Sequence, residues 1–263
     1  MKNFHGVNKK SMNLIDSHCH LYSLSNVKEA IVQARNAGVI KAVVVSENLR
    51  TMEQTLKLRD AFPEFVLPGL GIHPVDVLSM SHHEWEQSFS FLKSHAKEAS
   101  CIGEIGLDYK YATTENEKEK QYKALYAQME VAAENRLPIN LHSRRALRQT
   151  MEEAIAFHKK TGLSTLLHWF AHSRKLLRRT NQEGIFVSVG PSILFSEEAL
   201  SCAFAIDPKL ILLETDTPVP FRGNPSTPAC VAQVADTLII NHAEKQLTKE
   251  TLFENTKRYL KNL

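Results

Sequence analysis

His18 and His20 stand two residues apart, and in an extended strand side chains at that spacing leave from the same face, so both imidazoles can reach one metal ion. A chain with 12 histidines contains such pairs by chance, so the other ligand-type residues decide what this one means. They gather where short apolar runs stop. The first run ends in His18 and His20, the fourth in Gly103-Glu104, the fifth in His142, the sixth in His168 and the eighth in Glu214-Thr215-Asp216. The four imidazoles with Glu104 and Asp216 are the donor set of one or two divalent transition metals.

For these residues to meet, the runs must end on one rim. Short β-branched or apolar segments alternate with amphipathic helical ones along the chain. Leu14 to His18 is followed by a helix over Asn26 to Ala37, Lys41 to Ser46 by Thr51 to Phe62, Phe65 to Gly71 by His83 to Lys97, and Cys101 to Leu107 by Glu115 to Asn135. Pro138 to Leu141 then precedes Arg145 to Lys160, Ser164 to Leu167 precedes Ser173 to Asn181, Ile185 to Val189 precedes Ser196 to Ala203, and Leu210 to Glu214 precedes the C-terminal helices. Continuous runs such as Ala42-Val43-Val44-Val45 and Leu210-Ile211-Leu212-Leu213 suit strands buried on both faces. Eight such units predict an α/β fold, a (β/α)8 TIM barrel, whose reactive residues come from the C-terminal strand ends. An open doubly wound sheet is the alternative, but no GxGxxG follows the first strand.

Length and composition fit one domain. The 263 residues carry no Gly/Ser linker or low-complexity tract, and the expected division is a polar extension over 1-12 followed by the barrel over 13-263. A net charge of +3, from 32 basic and 29 acidic residues, is too small to argue for an extended nucleic-acid surface or a membrane-binding face and leaves the partner open. Cys19, Cys101, Cys202 and Cys230 show no CxxC spacing and read as reduced thiols. No apolar signal region follows Lys9 and Lys10 and no run is long enough to span a membrane, so a soluble cytoplasmic protein is expected, with no obligate protein partner evident.

The motifs Asp16-Ser17-His18-Cys19-His20-Leu21, Gly71-Ile72-His73-Pro74, Gly103-Glu104-Ile105-Gly106-Leu107-Asp108-Tyr109, Leu141-His142-Ser143-Arg144, His168-Trp169-Phe170 and Glu214-Thr215-Asp216-Thr217-Pro218 together resemble the TatD-type metal-dependent hydrolases, often described as deoxyribonucleases, within the amidohydrolase superfamily. The resemblance runs from about Leu14 to the C-terminus and implies two divalent ions, with His18, His20 and Asp216 on one, His142 and His168 on the other, and Glu104 bridging. A carboxylate can span ions roughly 3.5 to 4 Å apart, and a water shared by two ions is acidified toward a hydroxide nucleophile. Asp216 is then the group to take the water's proton, which makes Glu104 and Asp216 the catalytic pair. The donor set accepts Zn, Mn, Mg, Fe, Co or Ni.

Around this centre His73, Arg144 and Arg222 are candidates to grip a substrate phosphate, each balanced by an ordinary role as a loop histidine or solvated arginine. Asp16, one layer deeper, is expected to orient a ligand, while Cys19 faces away into the core and His82-His83 opens a solvated helix. Asp108 and Tyr109 read as loop residues on the rim. Two segments depart from the family pattern. After His168 the turn reads Trp169-Phe170-Ala171-His172, where Ala171 would be strained at positive φ, and the loop Thr217-Pro218-Val219-Pro220-Phe221 lacks the usual tyrosine. The expected activity is hydrolysis of phosphodiester bonds in DNA ends or a short nucleotide-like substrate. The alternatives are an amidohydrolase or lactonase acting at a carbonyl carbon, and a non-catalytic metal- or partner-binding barrel.

Overall fold

The computed structural model describes residues 13–169, 174–221, 223–241 and 246–261. Eight strands, β1 (Leu14–Cys19), β2 (Val39–Val45), β3 (Val66–Leu70), β4 (Cys101–Asp108), β5 (Ile139–Arg144), β6 (Thr165–Leu167), β7 (Phe186–Val189) and β8 (Ile211–Leu213), lie in chain order in one sheet. Every neighbouring pair is parallel. The sheet curls until its ends meet: Asp216 N donates to His18 O at 3.0 Å and His20 N donates to Thr217 O at 2.7 Å. This seam falls among the metal-type residues of the first and last strands, so closure of the barrel itself assembles part of the site.

Helices α1 (Val27–Asn36), α2 (Leu49–Ala61), α3 (Pro74–Ser79), α4 (His82–His95), α5 (Glu115–Glu134), α6 (Leu147–Thr161), α7 (Arg174–Glu183), α8 (Glu197–Ala203), α9 (Val231–Asn241) and α10 (Lys249–Leu260) complete the fold. Local chemistry fixes where several begin. Asn48 with Thr51, Ser81 with Glu84, and Thr114 with Glu117 form reciprocal capping boxes that satisfy first-turn amides of α2, α4 and α5. Strand residues Val43, Val44, Val45, Ile211 and Leu212 are fully buried between the barrel interior and this helical layer. Helix α10 is tied to the ends where strands begin, with Asn255 Nδ2 donating to Pro208 O and Ile211 O at 2.7 and 2.8 Å and Tyr259 OH donating to Ile139 O at 3.1 Å.

Three elements differ from the sequence expectation. The six-residue α3 and the hairpin of β9 (Pro220–Phe221) with β10 (Asn224–Pro225) are too short to leave a periodic signature. Strand β4 runs one residue past the expected Cys101 to Leu107, and Glu104 lies within it, four residues before its end; the β4–β5 register shifts between Ile102 and Ile105, where Glu104 sits. Asp108, expected on a loop, is the last residue of β4 and is 1% exposed.

The close approach of β4 to β5 depends on glycine. A Cβ at Gly106 would lie 2.1 Å from His142 O, and its φ of 151° is one that L side chains rarely adopt. Gly106→Ala is expected to lower unfolding free energy by about 3 kcal/mol or more, or to prevent soluble expression. Urea unfolding beside the parent checks this; an unchanged midpoint contradicts it.

Candidate metal centre

Five strands position the cluster. His18 lies in β1 with His20 just past it, Glu104 is in β4, His142 in β5, His168 follows β6 and Asp216 follows β8. Glu104 stands between two groups of imidazoles. Its Oε2 is 3.5 Å from His18 Nε2 and 3.4 Å from His20 Nε2, while its Oε1 is 2.6 Å from His142 Nδ1, 2.8 Å from His168 Nε2 and 3.6 Å from His73 Nε2. Asp216 Oδ1 faces the first group, 3.6 Å from His18 Nε2 and 3.4 Å from His20 Nε2.

The nitrogens that face this centre are selected from behind. Asn140 Nδ2 donates to Ser17 O at 3.1 Å, which turns Asn140 Oδ1 toward His18 Nδ1 at 3.0 Å. His18 therefore keeps its proton on Nδ1 and presents a lone pair at Nε2. Tyr22 OH donates to Glu47 Oε2 at 3.0 Å, so the same oxygen accepts from His20 Nδ1 at 2.8 Å and the neutral His20 ring likewise presents Nε2. Asp108 Oδ2 lies 3.1 Å behind His142 Nε2, and Glu214 Oε2 lies 3.7 Å from His168 Nδ1. Partners of this kind orient metal-binding imidazoles and raise their basicity.

These donors fit a divalent ion. His18 Nε2 is buried without a hydrogen-bond partner, although two carboxylate oxygens lie within 3.6 Å of it. A lone pair facing two carboxylates is repulsive unless a cation stands between them, and tetrahedral ligands at about 2.1 Å from an ion are themselves about 3.4 Å apart. Among the described residues, His18, His20 and Glu104 form one group whose ligand atoms could hold an ion, and His73, Glu104 and His142 form another. His18, His168 and Glu214 form a third. Asn140→Leu, which frees the back of His18, is expected to weaken metal binding 10- to 100-fold with the fold retained. A competition titration against a chromophoric chelator reads this directly, and unchanged affinity contradicts the role of Asn140.

Charge in the cluster is shared. Burial favours neutral Glu104, yet His168 above all, with the hydrogen bond to His142, holds its carboxyl well below the usual range. Burial opposes charge on His20 as well, but hydrogen bonding to Asp216 and Glu104 pushes its imidazole up to about 10. His168 is raised well above its ordinary value against burial, chiefly by Glu104. Without metal, protons on these rings balance the carboxylates, so metal uptake must expel protons and is favoured by rising pH. Burial drives His73 the other way, down to about 3, with Glu104 opposing and His142 reinforcing it.

His73 is bonded to backbone, as one of its two sequence readings has it. It caps α3, with Nδ1 accepting from Val75 N at 3.2 Å, and its Nε2 still points into the cluster. Asp16 is fully buried and accepts from His18 N, Thr215 N and Thr215 Oγ1 at 3.2, 3.0 and 2.5 Å. It thereby fixes both neighbours of the cluster's first and last strands, beside Asp216, whose backbone is left-handed with φ of 50°. Cys19 is fully buried in the apolar core, and His82 and His83 are exposed at the start of α4.

Arg144 is the exposed last residue of β5 and is outside the donor cluster. Arg222 and the stretch Phe170-Ala171-His172 lie outside the described residues; Trp169, which precedes that stretch, has φ of 45° and donates from its backbone to Glu214 Oε1 at 2.8 Å. Sequence reading gave no role to Tyr22, Glu47 or Asn140, and took Asp108 for a loop residue. Glu47 follows the second apolar run and Asn140 has the parity of His142 on one strand, so position carried a signal for both; Tyr22 had none.

A parallel eight-stranded barrel with histidines and carboxylates converging at the C-terminal strand ends defines a metal-dependent hydrolase of barrel architecture. The profile of the TatD related DNase family matches residues 15–261, and the chain belongs to that family. It is similar to the human deoxyribonuclease TATDN3, 30% identical over 216 residues covering 78% of each chain. It is similar also to an uncharacterized metal-dependent hydrolase of Bacillus subtilis (strain 168), YabD, 29% identical over 264 residues covering 93% of this chain and 98% of that one. Among solved structures, YJJV, a TatD homolog from Escherichia coli k12, superposes with a TM-score of 0.81 at 25% identity, over 94% of this chain and 97% of the other.

Proposed function

We propose that this chain hydrolyses phosphodiester bonds in DNA with two divalent ions, His18, His20 and Asp216 holding one, His142 and His168 the other, and Glu104 bridging. The observation that carries the reading is the division of Glu104, whose two oxygens face two separate groups of imidazoles. Family membership supplies the substrate class. When bound, two such ions supply Lewis-acid activation of water and of a phosphoryl oxygen.

The chain's own groups do the rest. Asp216 is positioned to take the proton of the attacking water through a carboxylate oxygen, its backbone held by the bond to His18 O. His73, kept neutral by burial and carrying its proton on Nε2 because Nδ1 accepts from Val75 N, offers a donor to a phosphate oxygen. Arg144 and Arg222 are proposed to hold flanking phosphates. A net charge of +3 favours a short strand end over a long duplex. Among the described residues no helix is long and apolar enough to cross a membrane. All four cysteines are unpaired, which supports a reducing, cytoplasmic setting.

The test is hydrolysis of an end-labelled single-stranded oligonucleotide by chelator-stripped protein reloaded in turn with Zn, Mn, Mg, Fe, Co or Ni, beside a panel of esters, lactones and amides. Cleavage restored by metal supports the proposal. Turnover on a carbonyl substrate alone replaces it with the amidohydrolase reading, and no turnover with fewer than one bound ion per chain replaces it with a binding role.

A further inference from the structure

Helix α5 carries two glutamines, Gln121 and Gln128, two turns apart on the face that meets the barrel, 0% and 1% exposed. Their amides are spent on the main chain of the site. Gln128 Oε1 accepts from Ile72 N at 2.7 Å, and its Nε2 donates to Ile72 O at 3.1 Å and to Ala124 O at 3.2 Å. Gln121 Oε1 accepts from Asp108 N at 2.9 Å, and its Nε2 donates to Pro74 O at 3.1 Å and to Asp108 O at 3.3 Å.

The segments held are the neighbours of site residues. Ile72 and Pro74 flank His73 on either side, and Asp108 is the carboxylate behind His142. Burying a primary amide is unfavourable unless each of its polar atoms is bonded, and an apolar side chain of equal length would fill the same space without that requirement. Partner polarity also fixes each amide's orientation, because a backbone N–H must meet Oε1 and a backbone carbonyl must meet Nε2. The result is a directional clamp rather than filler.

We infer that Gln121 and Gln128 are positioning residues: through α5 they set where His73 Nε2 and the Asp108–His142 pair stand relative to Glu104, and they join the rim segment after β3 to the end of β4. This rests on the function proposed above for the roles of His73 and His142, but the clamp itself can be tested without substrate. Gln121→Met and Gln128→Met keep length and volume while removing every hydrogen bond of the amide.

The direct readout is the long-range 1H–15N spectrum of the imidazoles in metal-stripped protein labelled with 15N-histidine. Gln128→Met is expected to shift the His73 ring resonances and leave those of His142 in place, whereas Gln121→Met shifts both. In metal-loaded protein acting on an oligonucleotide, Gln121→Met is expected to lower kcat about tenfold with KM within about twofold, and Gln128→Met to raise KM about fivefold with kcat nearly unchanged. Should a Met variant not fold, the Asn variant at the same position, whose amide is drawn back by one methylene, is read by the same criteria. Ring resonances matching the parent in both variants, with only the melting temperature lowered, would overturn the inference and leave the glutamines as helix–sheet packing. If DNA is not hydrolysed at all, the function fails while the spectra still decide the clamp.

Discussion

Glu104→Gln is expected to leave the barrel folded while reducing oligonucleotide turnover on the order of a thousandfold and, if the parent holds the two proposed ions, lowering bound metal to one ion per chain or fewer. The two side chains have the same shape, so packing at this buried position is preserved. What changes is the second oxygen. Oε2 faces His18 and His20 and Oε1 faces His142, His168 and His73, so an amide turned either way presents its NH2 group to one set of imidazoles. An NH2 group is a donor without a lone pair for a metal, and the side chain has lost the negative charge that raises His168 and helps raise His20. Elemental analysis, circular dichroism and the oligonucleotide assay on one preparation check all three parts. A variant that keeps two ions and more than about a tenth of parental turnover contradicts the bridging role.

The barrel was legible in the sequence because its strands are buried on both faces and so appear as unbroken apolar runs, Ala42 to Val45 and Leu210 to Leu213 being the plainest. Strand limits were less visible where function interrupts that pattern. Glu104 and Asp108 break the apolarity of β4, so its apolar run stops at Glu104 and its last residue, Asp108, reads as loop.

The cluster itself could be read from residue type and position together, since histidines and acids at strand ends converge in any barrel. Its supports could not, because their partners are set by topology. Asn140 meets His18 across the barrel interior, Glu47 meets Tyr22 between neighbouring rim segments, and Gln121 and Gln128 meet main-chain groups of Asp108, Pro74 and Ile72 far from them in the chain. Spacing with Ala124, Leu125 and Ala132 puts both glutamines on the apolar face of α5, but the sequence does not say which main-chain groups their amides meet.

Asp216→Asn separates proton transfer from metal holding. Asparagine keeps an oxygen that can still face His18 and His20 at the position of Oδ1, so the two-ion content is expected to fall less than in Glu104→Gln. It cannot accept a proton at neutral pH, and kcat is expected to drop 10²- to 10⁴-fold, about the contribution of a positioned general base. The pH–rate profile should also lose the limb that reports ionisation of the base; a variant within tenfold of the parent that keeps that limb contradicts the assignment. Metal-stripped protein gives an independent check. Burial raises the Asp216 carboxyl, but His20 and His18 hold it below its ordinary value, while hydrogen bonding to Asp216 and Glu104 carries His20 up to about 10 against its own burial. A depressed carboxyl stabilises the fold above the usual carboxylate range and loses that contribution as pH falls through its folded pKa; a raised imidazole stabilises it below about 6.5 and loses that contribution as pH rises toward about 10. The stripped parent should therefore lose melting temperature as pH rises from 6.5 toward 10, and Asp216→Asn, which leaves Glu104 as the remaining carboxylate against His20, should lose less over the same interval.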